Sequence, residues 1–219
     1  MSNQDRRQRE REQMRENILE AATALFHEYG FDKVTIRRIA DKIEYTPGII
    51  YAYFKNKNEI LYAIHQRGFD ILYDLEMTVV KTRDPVERLV KLGQVYIQFA
   101  LTHRSYYDLM FIESDIQQVI SEEERWLEGQ RAYGVLRDTL AECIQTGAMP
   151  PGDVDSVAFG IWAFVHGLVS LFVRGRCAMI PDKNIPVVLQ AAYTDMYRAL
   201  TGRRDIAAML HAEAFRIAP

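Results

Sequence analysis

The stretch from Val157 to Val173 reads Val-Ala-Phe-Gly-Ile-Trp-Ala-Phe-Val-His-Gly-Leu-Val-Ser-Leu-Phe-Val and is apolar on every side. Wound as a helix it has no polar face, and such a helix must be buried all round. Its length lies near the lower limit for crossing a bilayer. His166, Ser170, the two glycines and the helix-rich surroundings argue against a membrane span. In a chain of 219 residues, one side of this helix packs on the body of its own subunit and the other on a second copy.

The rest of the chain has helical spacing throughout and no β-alternation. Ile18, Ala22, Leu25, Phe26 and Tyr29 give a first amphipathic helix, stopped by Gly30. Thr35 is an N-cap before Ile36, Ile39, Ala40 and Ile43. Thr46-Pro47 restarts the chain, with Thr as the cap and Pro at the first helical position, for a short helix from Pro47 to Phe54. Ile60 to Leu75 continue as a longer helix, and Asp84-Pro85-Val86-Glu87 is a further start. His103 to Phe111 reads as a break and a short helix. Ser121 opens a long helix that carries Trp126 and ends at Gly147. Asp153 caps the apolar helix, and Pro181 and Pro186 frame the way to the last long one, about 186–201. Ile206 to Phe215 is read as one more short helix. The expected fold is all-α, with about nine or ten helices. It is divided into a polar arm over 1–11, a three-helix helix-turn-helix domain over 12–72, and a larger helical domain over 73–219.

Two short helices joined by a three- or four-residue turn lay the second in the major groove of DNA. Ile39, Ala40 and Ile43 on the first, and Ile50 and Phe54 on the second, face inward onto Leu25 and Phe26. Pro47, Gly48, Ile49, Tyr51 and Tyr53 are then outward. Gly48 lets the helix start approach DNA closely, and Ile49 suits a thymine methyl. Thr35, Thr46, Tyr51, Tyr53 and Lys57 offer hydroxyl or ammonium groups to phosphates. Base-reading donors are few on this face, so specificity leans on Arg37 and Arg38, an N-terminal arm or DNA shape. Residues 1–57 hold 11 Lys+Arg against 9 Asp+Glu, and the remainder 16 against 21. A mildly basic head on an acidic body fits nucleic-acid binding. Arg6 to Arg15 are interspersed with Glu10, Glu12 and Glu16, which reads as a solvated helix face; the alternative is an arm that adds phosphate or minor-groove contacts.

Gly30-Phe31, Thr35 with Ile39-Ala40, then Gly48, Tyr51, Phe54 and Lys57 stand in one register. Over roughly residues 12–60 this resembles the DNA-binding domain of the TetR family of regulators. Tyr53 stands where that family often has His. Glu44 and Tyr45 stand where it usually has Gly and a small apolar residue; a positive φ at Glu44 would carry strain of order 1–3 kcal/mol. The resemblance implies a homodimer on palindromic operator DNA, closed by a four-helix bundle from helices about 153–176 and 186–201. Tyr193, Met196, Tyr197 and Leu200 lie on the second of these. Trp162 with His166-Gly167 also resembles one C-terminal subclass of that family. Two recognition helices must then meet successive major grooves about 34–36 Å apart. A ligand that changes this spacing removes the fit and with it the affinity.

An effector site is expected inside the body helices, with Phe99, His103, Tyr107, Phe111, Trp126, Trp162 and His166 as wall residues and Tyr106, Met110 and Phe159 nearby. The same aromatics serve equally as packed core. Their density favours a small, largely apolar effector. No phosphate loop, His-Glu-x-x-His, Cys-x-x-Cys or nucleophile elbow occurs, so neither an enzyme nor a cofactor or metal is expected. Cys143 and Cys177 make no disulfide framework, and no apolar run follows the N-terminal charges, which fits the cytoplasm. The expectation is a ligand-responsive repressor. The alternative is a helical sensor or interaction module without sequence-specific DNA binding.

Overall fold

Caps and terminators place the helices. The computed structural model describes residues 3–111 and 127–210. It contains α1 (Asn3–Tyr29), α2 (Ile36–Lys42), α3 (Pro47–Tyr51), α4 (Lys57–Met77), α5 (Pro85–Thr102), α6 (Arg104–Phe111), α7 (Leu127–Gln145), α8 (Val154–Val173) and α9 (Ile185–Thr201). Short 3-10 turns cover Asp182–Asn184 and Asp205–Met209. Among the described residues there is no strand, as the helical spacing predicts. The start of the long helix at Ser121, Trp126, and the tail beyond Leu210 lie outside the described residues.

The chain divides into two compact units, one of residues 1–69 and 105–126, the other of residues 70–104 and 127–219. The core of the first is Ile18, Leu19, Ala22, Leu25 and Phe26 of α1, Ile39 and Ala40 of α2, Ile50 of α3, Phe54, and Ile60, Leu61 and Ile64 of α4. Leu109 of α6 joins it. Gly30 ends α1 at φ 81°, its N–H donating to the Phe26 carbonyl at 2.9 Å. α1 does not begin where its apolar face begins. It starts at Asn3, and its solvated turns carry the pairs Arg6–Glu10 (3.6 Å), Gln8–Glu12 (2.7 Å) and Gln13–Asn17 (3.0 Å). Each such i, i+4 pair supports a helix by a few tenths of a kcal/mol, about 0.2–0.5.

In the second unit α5 is central, packing on α7, on α8 and on the 205–209 turn. The Asp84 carboxylate caps α5, accepting from the Val86 N–H at 2.9 Å, and it also holds Arg203. Burial works against this charge, but Arg203 and the backbone donors outweigh it and hold the Asp84 pKa below its usual value. Tyr193 and Tyr197 of α9 lie fully buried over Gly93 of α5. Their hydroxyls donate to the carbonyls of Val90 and, at 3.5 Å, Leu89. These two tyrosines therefore close the body's own core and do not share the outer side of α9, which exposes Val187 and Val188 instead. α8 is long and apolar enough to span a membrane, yet most of it is not buried within this chain. Phe159 (60% exposed) and Leu171 stand open on it. Glu76, 7% exposed, has one carboxylate oxygen without a hydrogen-bond partner, and burial raises its pKa well above the ordinary carboxylate value. Cys143 is fully buried, and its thiol is pushed up to about 11, chiefly by that burial.

Candidate nucleic-acid interface

The turn between α2 and α3 consists of Ile43, Glu44, Tyr45 and Thr46. Thr35 caps α2, its hydroxyl oxygen accepting from the Arg38 N–H at 3.2 Å. Glu44 holds φ at 61°, the left-handed conformation that its place in the turn requires. Thr46 occupies the N-cap position of α3, but its side chain makes no capping bond. Its extended backbone sets the cap geometry, and the hydroxyl is not used in starting the helix.

α3 is shorter than its apolar spacing predicts, ending at Tyr51 and not at Phe54. The chain tightens after Tyr51, where Ala52 N–H donates to the Ile49 carbonyl (3.2 Å) and Tyr53 N–H to that of Ile50 (3.0 Å). This moves two residues off the outer face. Ile49 and Tyr53 are half-buried and pack against the core, so only their rims are open. Gly48 and Tyr51 are fully outward, Tyr51 being 58% exposed. A methyl group built at Gly48 meets nothing closer than the Thr46 hydroxyl at 3.8 Å. Packing within the chain therefore does not demand glycine there. Pro47 is half-buried at the first position of α3.

The cations divide by commitment. Arg37 is exposed. The Arg38 guanidinium lies 3.6 Å from the centre of the Tyr29 ring, which fixes it on the side of α1. Lys57 donates from Nζ to the Phe31 carbonyl at 2.7 Å and sits 3.9 Å from the Phe31 ring centre. It ties the start of α4 to the chain that follows α1, a role that spacing alone does not reveal. Two further arginines stand over this region: Arg11 at 6.0 Å from the Tyr53 ring centre and Arg15 at 5.3 Å from that of Phe54. Their i, i+4 spacing is the available signal in the sequence, but no local pattern tells which rings they meet.

The expected effector residues fall into separate groups. In the first unit, Tyr107 is fully buried and lies 5.5 Å from Phe111, which in turn packs edge-on to Phe69. In the second, Phe99 is fully buried and stacked with His103 at 5.6 Å. The second unit also gathers Trp162 and His166 of α8, with ring centres 5.9 Å apart. Tyr133 approaches Trp162 at 6.3 Å, and Phe159 approaches it at 6.0 Å. The Tyr96 hydroxyl is 2.9 Å from His166 Nδ1. Burial lowers the pKa of both His103 and His166, which favours the neutral imidazole. Sequence spacing does not single out Tyr96 and Tyr133; they stand on other helices, and only packing brings them to α8. Trp126 lies outside the described residues. Among the described residues, no group of three His, Cys, Asp or Glu is placed to hold a metal ion.

Comparison with known proteins gives matches over both units. Residues 18–64 match the family described as bacterial regulatory proteins, tetR family. Residues 89–200 match the tetracyclin repressor-like C-terminal domain. The chain is 27% identical over 162 residues to the HTH-type transcriptional regulator HbdR of Aromatoleum sp. strain CIB, covering 71% of this chain and 68% of that protein. It is 26% identical over 186 residues to the probable acrEF/envCD operon repressor of Escherichia coli K12, covering 80% and 83%. Among solved structures, AibR in complex with isovaleryl coenzyme A and operator DNA superposes with a TM-score of 0.65 at 20% identity, over 85% of this chain and 97% of AibR.

Proposed function

The chain belongs to the TetR family of bacterial regulatory proteins, and from that premise we propose that it is a transcriptional repressor. It binds a palindromic operator as a homodimer and is released by a small, largely apolar effector. The observation that carries this reading is the outer face of α3. There Gly48 and Tyr51 stand exposed on a helix whose opposite side is locked into the core by Ile50. Gly48 admits the helix start into the major groove, and Ile49 offers its open rim to a thymine methyl. Thr35, Thr46, Tyr51, Tyr53 and Arg37 reach phosphates. Arg38 and Lys57 act mainly by position, the first braced on Tyr29 and the second on Phe31.

Dimerisation is supported by the open apolar faces of α8 and α9, with Phe159, Leu171, Val187 and Val188 at their exposed points. These faces suit a second copy better than a bilayer. α8 packs on α5 and α7, its His166 is hydrogen-bonded to Tyr96, and its terminal carbonyl at Val173 accepts from Arg104. The effector site is assigned to the second unit, at Trp162 and His166 with Tyr96 and Tyr133. An apolar wall with a few polar handles is what a largely apolar ligand requires. AibR, of the same fold, was solved with both isovaleryl coenzyme A and operator DNA, which fits a regulator of this fold that takes an effector. The protein acts on DNA in the cytoplasm and has no catalytic role.

The test is an anisotropy titration of the purified protein against DNA from its own upstream region and against operators selected from a random pool. Random DNA serves as competitor, at two salt concentrations. The expected result is specific binding to an inverted repeat that weakens with salt and with Tyr51→Ala. Binding no tighter than to random DNA, on every selected sequence, overturns the reading and leaves a helical sensor that does not read operators.

A further inference from the structure

The first turns of α1 sort their charges. Glu10, Glu12 and Glu16 all have partners: Arg6 pairs with Glu10 at 3.6 Å, Gln8 donates to Glu12 at 2.7 Å, and Arg67 pairs with Glu16 at 3.5 Å. Arg9 donates to the Asp5 carbonyl at 3.2 Å. Arg7, Arg11 and Arg15 are the arginines left over. Among the described residues no carboxylate is paired with any of the three. All three are exposed, and they recur at i, i+4 and i+8, which is one side of a helix. That side is oriented by two contacts. Arg15 lies over the Phe54 ring and Arg11 over the Tyr53 ring, so the strip begins beside the turn that follows α3. Arg7 extends it about 12 Å beyond Arg15 at helical rise.

We infer that Arg7, Arg11 and Arg15 form a second DNA-contacting strip that neutralises backbone phosphates flanking the bases met by α3. This rests on the reading of the chain as an operator-binding regulator and adds a site to it. Three guanidiniums with no carboxylate partner, on one side of α1 and beginning beside the turn that follows α3, fit a phosphate backbone. A guanidinium gives fixed donors to phosphate oxygens, and neutralising each phosphate releases condensed counterions. Two of the glutamates on the same helix have cationic partners of their own, Glu10 with Arg6 and Glu16 with Arg67, and Glu12 accepts from Gln8. The inferred strip makes no base contact. It lengthens the operator at both ends and sets affinity, while α3 sets sequence.

The experiment measures the slope of log affinity against log salt for the full chain on an operator selected from a random pool. For Arg7→Gln/Arg11→Gln the slope is expected to shrink by about 0.9 for each phosphate no longer neutralised, counted twice in a dimer. Lysines at both positions restore the slope, since they keep the charge. Arg6→Gln/Arg9→Gln removes the same charge from the partnered faces and leaves the slope where it was. Arg7→Gln alone touches no ring, so its smaller effect separates a phosphate contact from disturbed packing at Tyr53. The inference is overturned if the wild type and Arg7→Gln/Arg11→Gln share one slope, or if Arg6→Gln/Arg9→Gln lowers it as much. In both cases operator binding by the wild type still stands. A wild type that binds no selected operator overturns the regulator reading and this inference together.

Discussion

Glu44 holds its backbone at φ 61° with a side chain that has no reason to favour it. A left-handed conformation costs a non-glycine residue roughly 1–2 kcal/mol. Glu44→Gly is therefore expected to stabilise the protein by about 1 kcal/mol, raising Tm by about 2–4 °C for a chain of this size. Glu44→Ala keeps the strain and should give no such gain in differential scanning calorimetry. Glu76 is the opposite kind of residue, with ordinary backbone and a costly side chain. Its folded pKa is raised by burial, so the neutral acid is the form the fold accepts. The sign follows: stability is fully present below the ordinary carboxylate pKa and is lost as pH rises toward and through the raised value. Urea unfolding at a series of pH values should show wild-type stability falling with rising pH and a flatter line for Glu76→Gln. The strain at Glu44 was legible in sequence, because a helix-turn-helix bend asks for a glycine where this chain has an acid. The burial of Glu76 was not, since an acid near the end of an amphipathic helix reads as solvated until the neighbouring helices are placed.

At the scale of the element, boundaries set by caps were legible. Thr35, Asp84 and Asp153 accept the backbone N–H groups their positions predict, and Gly30 and Gly147 terminate their helices at positive φ. Boundaries set by packing or by long charged turns were not. α1 runs back to Asn3 through turns that pair charged and amide side chains, and α3 stops three residues early, where the chain tightens after Tyr51. The facing of α9 was also hidden. Its aromatic period allows Tyr193 and Tyr197 to point either way, and only the bare backbone of Gly93 decides it. A methyl group on Gly93 would stand about 2.8 Å from the Tyr197 hydroxyl and closer still to that of Tyr193. Gly93→Ala should then destabilise the second unit by about 1–3 kcal/mol, as overpacking does. The matching measurement is a lowered urea midpoint, with Tyr193→Phe recovering part of the loss by removing the nearer oxygen.

For the whole molecule, the proposed dimer makes a direct demand on the open faces of α8 and α9. Placing a carboxylate at each of two exposed apolar points, Leu171→Glu with Val187→Glu, would bury unpaired charge in the interface at several kcal/mol per ion. In a lone subunit the same residues stay in water. Sedimentation velocity should report a monomer with unchanged helicity, and the inverted repeat should no longer be bound as a two-fold unit. An unchanged dimer would place the subunit contact elsewhere. The second-unit aromatics have a different consequence. The chain contains two tryptophans, and one of them, Trp162, stands beside His166 and 6.3 Å from the Tyr133 ring. With Trp126→Phe, Trp162 becomes the sole long-wavelength emitter, fed by excitation transfer from Tyr133. The colour and intensity of its light then become an optical gauge of what enters the aromatic cluster, legible without a dye and before any operator has been found.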